Sequence, residues 1–167
     1  MKKIFEYVVA AALGLVLALL LKTFVLQGYV VNGESMLPTL QNRDFLFGEK
    51  ISYKVSGFQY GDIVVIGLDD TYQRKHIIKR VIGLEGDKIE VKDGYVYRNG
   101  KKLSEKFIRE PGKIAEDFNQ ITVPKDHIFV MGDNRNNSSD SRVFGAFSYD
   151  EVNAKIFVEV RNQLKFY

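Results

Sequence analysis

The 167-residue chain contains no cysteine. That excludes a disulfide framework and any thiolate metal centre. Histidine is nearly absent: only His76 and His127 occur, with no H-E-x-x-H pair, which argues against a zinc peptidase. Basic residues come singly or in pairs (Lys2-Lys3, Lys79-Arg80, Lys101-Lys102) and never as a long block. With a net charge of only +3, this scatter offers no clustered face for nucleic acid. There is no internal repeat and no low-complexity tract. Hydrophobic residues at 46% and charged residues at 27% suit one domain with an ordinary core.

The N-terminus carries the most distinctive composition. From Tyr7 to Leu21 the chain reads YVVAAALGLVLALLL, without a charge. A bilayer core of about 30 Å takes roughly 20 helical residues. A helix from about Ile4 to about Phe24 meets that length if Lys22 snorkels to the headgroups. A cleaved leader would need small residues spaced as A-x-A after the apolar run, whereas this run ends Leu-Leu-Leu-Lys-Thr-Phe. A buried soluble helix would show a polar stripe, and none is present. The expectation is an uncleaved membrane anchor over residues 1–28. Lys2, Lys3 and the amino terminus favour a cytoplasmic N-terminus, although Lys22 weakens the asymmetry.

Beyond residue 29 the helical texture stops. Short apolar runs recur between turn signals: 62–66, 76–82, 88–92, 94–98, 127–131 and 154–160. They are rich in Val, Ile, Tyr and Phe and several alternate apolar with polar residues, as half-buried strands do. Asp93-Gly94 and Asn99-Gly100 are strong hairpin turns. Residues 29–167 are therefore predicted to be mainly β, in antiparallel sheets, with a small hairpin and loop insert over about 88–120. Residues 104–120 read as a polar surface excursion.

Three segments hold more specific residues than a core or loop requires: VNGESMLPTL at 31–40, KRVIGLEGD at 79–87 and GDNRNNSSDSRVFG at 132–145. Each has a plain reading on its own. Ser35 is a turn serine, Lys79 a solvated strand residue, and the third segment a polar loop. That third segment nonetheless clusters Asp133, Asn134, Arg135, Asp140 and Arg142, which fits a satisfied network. Neither G-x-S-x-G nor S-x-x-K occurs. His76 and Lys79 lie three residues apart on one predicted strand, so they face opposite sides. If Lys79 faces a site, His76 does not; His127 escapes that argument.

Together, in this order behind one apolar N-terminus, the segments resemble those of bacterial type I signal peptidases. Ser35-Met36-Leu37-Pro38-Thr39-Leu40 matches the family's nucleophile box, Arg43-Asp44 its next box, Lys79-Arg80-Val81-Ile82-Gly83 its lysine box, and Gly132 to Arg142 its last box. The resemblance implies the signal-peptidase-like β fold with one N-terminal transmembrane helix. It also implies a membrane-bound serine endopeptidase that removes signal peptides from exported preproteins. Ser35 carries over as nucleophile and Lys79 as general base. Ser138 is implied to hydrogen-bond Lys79, and Asp140 with Arg142 to brace the site as an ion pair. Glu85 stands where proline is usual. Gly33 replaces the serine that some members use as an oxyanion donor, as in the smaller Gram-positive form, so backbone N–H groups such as that of Ser35 take that part.

A serine hydroxyl needs a base, and lysine serves only when neutral. Burial among Ile77, Ile78, Val81 and Ile82 lowers the amine from its ordinary value of about 10.4. The substrate is expected to bind extended, against Tyr29 to Gly33 and the strand holding Ile77–Lys79. Val31, Met36, Leu40 and Ile78 are expected to line shallow pockets for small side chains. No cofactor or metal is implied. Implied partners are signal peptides and membrane lipid, with the secretion machinery a further candidate. The alternatives are a related Ser/Lys self-processing protease and a non-catalytic anchored homologue that holds signal peptides.

Overall fold

The computed structural model describes residues 2–24, 26–68, 76–160 and 164–167, with side chains described except at residues 2, 20–24, 164 and 165. The chain opens with helix α1 (Lys2–Phe24), whose residues 3–19 are all exposed. Those residues measure about 25 Å at ~1.5 Å per residue. Among the described residues no helix is long and apolar enough to cross a membrane. The expected snorkelling residue, Lys22, has its side chain outside the described set.

The β body then begins earlier than the sequence suggested. Strand β1 (Leu26–Val30) pairs antiparallel with β2 (Phe45–Glu49), Tyr29 opposite Leu46. A one-turn helix α2 (Ser52–Ser56) leads to β3 (Ile63–Gly67), which pairs with β4 (His76–Gly83). A meander follows: β5 (Lys88–Lys92), β6 (Tyr95–Arg98), β7 (Lys101–Lys102) and β8 (Phe118–Thr122). Strand β9 (His127–Met131) runs into a loop and the short helix α3 (Ser141–Phe144). Strands β10 (Phe147–Ser148), β11 (Val152–Val160) and β12 (Leu164–Phe166) complete the fold. The strands form two sheets. The larger has the order β1-β2-β11-β3-β4-β9-β10, with β12 beside β11; the smaller has the order β7-β6-β5-β8.

Both hairpins expected in the insert form. Asp93 and Gly94 have φ of 51° and 81°, and Asn99 and Gly100 have 53° and 73°. Two successive left-handed residues make the tight turn that matches strand twist. The polar stretch expected over 104–120 is only partly a loop. Its last residues join β8, whose Thr122 pairs with Lys88 of β5. Only Phe118 and Ile121 of that strand are half-buried and the other three residues are exposed, so its apolar alternation is faint.

Period-2 alternation distributes side chains among three cores. Strand β3 sends Val64 and Ile66 to a core with Ile77 and Val81, and Ile63 and Val65 to another with Leu46 and Ile156. Strand β9 serves two cores as well. Ile128 and Val130 join the first, while Phe129 and Met131 join a third core with Ile82, Ile89, Val91 and Val96 of the meander. Phe129 has no exposed surface and lies where the sheets meet.

One edge of β4 is half used. Its pairing with β9 begins only at Arg80, so no described strand lies beside His76–Lys79 on that side. Strand β1, at the end of the larger sheet, likewise has no described neighbour on its outer edge. Unpaired strand edges of this kind accept a further extended chain.

Phe129→Ala should lower the unfolding free energy by about 3–5 kcal/mol, because the cavity opens at the junction of the sheets. Chemical denaturation monitored by circular dichroism checks this.

Candidate active site

The segment joining β1 to β2 holds Ser35. Two turns shape it, Leu37 N–H donating to the Glu34 carbonyl at 3.1 Å and Leu40 N–H to that of Met36 at 2.9 Å. Met36 and Leu40, 2% and 0% exposed, pin it into the core below. Lys79 projects from β4 and is 3% exposed, although it is a lysine. Its Nζ lies 2.8 Å from Ser35 Oγ and donates to the Ile78 carbonyl at 3.0 Å. A neutral amine in this position keeps its lone pair for the serine proton, which is the geometry a serine–lysine pair requires.

The last polar segment fixes the nucleophile loop by its backbone. Asn134 N–H donates to the Ser35 carbonyl at 2.9 Å, and Asn134 Nδ2 to the Glu34 carbonyl at 3.2 Å. Gly132 lies directly beneath. A Cβ there would run into the Ser35 carbonyl and the Ser138 side chain, so the approach requires glycine. Gly132 N–H donates to Asp140 at 3.0 Å, and Asp140 is gripped through both carboxylate oxygens by Arg142 Nε and Nη2, at 2.9 and 2.8 Å.

Two further ion pairs surround this point. Arg80, next to Lys79 in sequence, holds Asp133 through Nε at 2.8 Å and Nη2 at 2.6 Å. Thr39 of the nucleophile loop donates to the same carboxylate at 2.5 Å. Arg135 holds Glu105 of the insert at 2.6 and 2.9 Å, while its Nε donates to the Gly132 carbonyl at 2.9 Å. The Phe107 ring lies 4.3 Å from the Arg80 guanidinium and 5.8 Å from that of Arg135. Glu105 and Phe107 were not singled out from the sequence, and Thr39 and Asn134 were named there only as members of their motifs, without these partners. A buried arginine such as Arg80 calls for an acidic partner, but nothing in the chain says which of its 21 acidic residues that is.

Other expected site residues fall differently. The Ser138 hydroxyl is buried and makes no hydrogen bond, so the contact to Lys79 implied by resemblance is not formed. It stands close enough to Asp140 to help stabilise that carboxylate. Gly33 N–H donates to Asn42 Oδ1 at 3.0 Å and is thereby occupied, whereas the Ser35 N–H donates to no described group. His76 is exposed, 3.1 Å from Asn153, and His127 Nδ1 bonds the Lys125 carbonyl at 2.6 Å. Neither histidine is hydrogen-bonded to Ser35.

A cleft of about 320 Å³ opens along the half-used edge of β4. Tyr29, Val31, Met36, Ile77 and Ile78 line it with Ser35 and Lys79, and so does His76, which the sequence had placed on the opposite face from Lys79. Leu40 does not: it is fully buried beneath. The Tyr29 hydroxyl is buried without a hydrogen bond, and burial, with Tyr53 nearby, pushes its pKa up to about 12.

The family profile described as signal peptidase, peptidase S26, matches residues 4–160. Signal peptidase I P of Bacillus subtilis subsp. natto is 43% identical over 147 residues, covering 83% of this chain and 78% of that one. Signal peptidase I S of Bacillus subtilis (strain 168) is 42% identical over 150 residues, covering 84% and 79%. A crystal structure of a signal peptidase I from Enterococcus faecalis V583 aligns with a TM-score of 0.48 at 30% identity, over 59% of this chain and 95% of that one. The chain belongs to the signal peptidase family, peptidase S26, and resembles its Bacillus type I members over most of its length.

Burial alone would raise the Asp140 carboxyl, but the adjoining Arg142 guanidinium and the Gly132 N–H outweigh it and hold the group below its ordinary value. A depressed carboxyl adds stability above the unfolded value of about 3.9, which is lost as pH falls through the lower folded value. Arg142→Gln removes the ion pair and leaves the Gly132 N–H as the main contact opposing burial. Its cost should be about 3–5 kcal/mol at neutral pH and shrink as pH falls below the unfolded value of about 3.9 toward the lower folded value of Asp140. Denaturation over a pH series measures this; a pH-independent loss would exclude the ion pair as its origin.

Proposed function

We propose that the protein is a membrane-bound serine endopeptidase that removes N-terminal signal peptides from exported preproteins through Ser35 and Lys79. The observation that carries the reading is the 2.8 Å contact between Lys79 Nζ and Ser35 Oγ at an unpaired strand edge. Burial of Lys79 disfavours its ammonium form and so favours a base.

The substrate lies extended between the outer edge of β1 and His76–Lys79 of β4, with backbone hydrogen bonds to both. Tyr29, Val31, Met36, Ile77 and Ile78 shape the cleft that receives the residues before the cut. Lys79 takes the Ser35 proton as Oγ attacks the scissile carbonyl carbon. The Ser35 N–H is available to the developing oxyanion, a donor worth about 2.7–4 kcal/mol. The C–N bond then breaks, and Lys79 passes the proton to the departing nitrogen. Water attacks the resulting ester, Lys79 accepts its proton, and Ser35 Oγ leaves as the proton returns to it. Asn134, Asp140 and Arg142 hold the frame, and Ser138 remains placed beside the pair.

The apolar helix α1 serves in this reading as the anchor, with the N-terminus cytoplasmic and the β body outside. It has no polar stripe, its residues 3–19 are all exposed, and exposed Leu26, Val30, Phe45 and Phe47 continue the apolar surface beyond it. Anchoring holds enzyme and substrate at one depth and raises their effective concentration.

Ser35→Ala and Lys79→Ala should each abolish cleavage of a preprotein in detergent while leaving the circular dichroism spectrum unchanged. Sequencing the new N-terminus locates the cut, and cleavage retained by Lys79→Ala would refute the pair. The rate should fall as pH drops through the lysine pKa, because the ammonium cannot accept a proton. A flat profile there would remove Lys79 as base.

A further inference from the structure

A second cleft, of about 440 Å³, meets the first at Ser35 and Lys79 but extends to the other side of the pair. Its apolar wall is Leu68, Ile77 and Phe144, which pack on the first core. The Ser138 hydroxyl, buried and without a hydrogen-bond partner, also lines it. Exposed Glu34, adjacent to the nucleophile, stands on its rim. We propose that this cleft binds the first residues of the chain that leaves, and that Glu34 favours basic over acidic side chains there.

The inference rests on the peptidase reading above and extends it to the far side of the cut. The two clefts share Gly33, Ser35, Ile77 and Lys79. An extended peptide advances about 3.3 Å per residue. A chain whose scissile carbonyl sits at Ser35, with its preceding residues in the first cleft, therefore runs into the second within one or two residues. Three features suit the occupant. The apolar wall takes a side chain, the unsatisfied hydroxyl takes a backbone polar group, and Glu34 takes a positive charge. Glu34 can be changed without disturbing the frame, because it is the Glu34 carbonyl that Asn134 and Leu37 hold.

The test is kcat/KM for peptides carrying Lys, Gln or Asp at each of the first three positions after the cut. Wild type, Glu34→Gln and Glu34→Lys are compared at low and high salt. Wild type should favour Lys over Asp roughly fivefold in one of these positions, as an exposed charge pair allows, and less at high salt. Glu34→Gln should bring that ratio near one, and Glu34→Lys should invert it. If the three enzymes cut the Gln peptides but share one Lys/Asp ratio, the proposal for Glu34 and this cleft is overturned while the peptidase reading stands. If wild type cuts none of the peptides, both fall together.

Discussion

The pair formed by Arg80 and Asp133 is the contact on which the site depends. It joins β4, one residue past Lys79, to the loop leaving β9, and Thr39 adds the Ser35 loop to the same carboxylate. Removing two charges from water is costly, and the cost is offset only when every lone pair finds a donor. Here the carboxylate has three hydrogen bonds, and the guanidinium also donates to the Gly61 carbonyl and lies over Phe107. Apolar replacements could supply comparable stability. They could not hold three distant segments in one mutual orientation, and that orientation sets where Lys79 meets Ser35.

The arrangement divides labour between rigid and open parts. Three buried ion pairs and the Asn134 clamp surround Ser35, yet no described strand lies beside His76–Lys79 on one edge of β4. A rigid frame keeps the reacting groups at hydrogen-bond distance without reorganisation. An open strand edge offers backbone groups that pair with any extended chain, so discrimination at such an edge falls to the shapes of the clefts beside it. The insert takes part through Glu105 and Phe107, which reach from the meander to Arg135 and Arg80.

Much of this was legible in the chain because the signals are local. Alternation located β4, β5, β6 and β9 closely, and Asp93-Gly94 and Asn99-Gly100 marked the turns that the backbone adopts. Strand β8 escaped because one half-exposed face leaves FNQIT too polar to read as a strand. At the site, Ser35, Lys79 and the pairing of Asp140 with Arg142 were readable because those residues sit in compact motifs. The partners of Arg80 and Arg135 were not, since Asp133 and Glu105 lie 53 and 30 residues away and only the fold brings them near. Leu40 illustrates the opposite limit. A motif places it near the serine, but which side of the loop it faces is decided by packing.

Strand β9 fills two cores with alternate residues and ends at Gly132. A slip of one residue would exchange Ile128 and Val130 with Phe129 and Met131, spoiling both cores, and would carry a side chain into the space that glycine leaves under Ser35. The register that fills both cores therefore also sets the distance at which Lys79 meets Ser35.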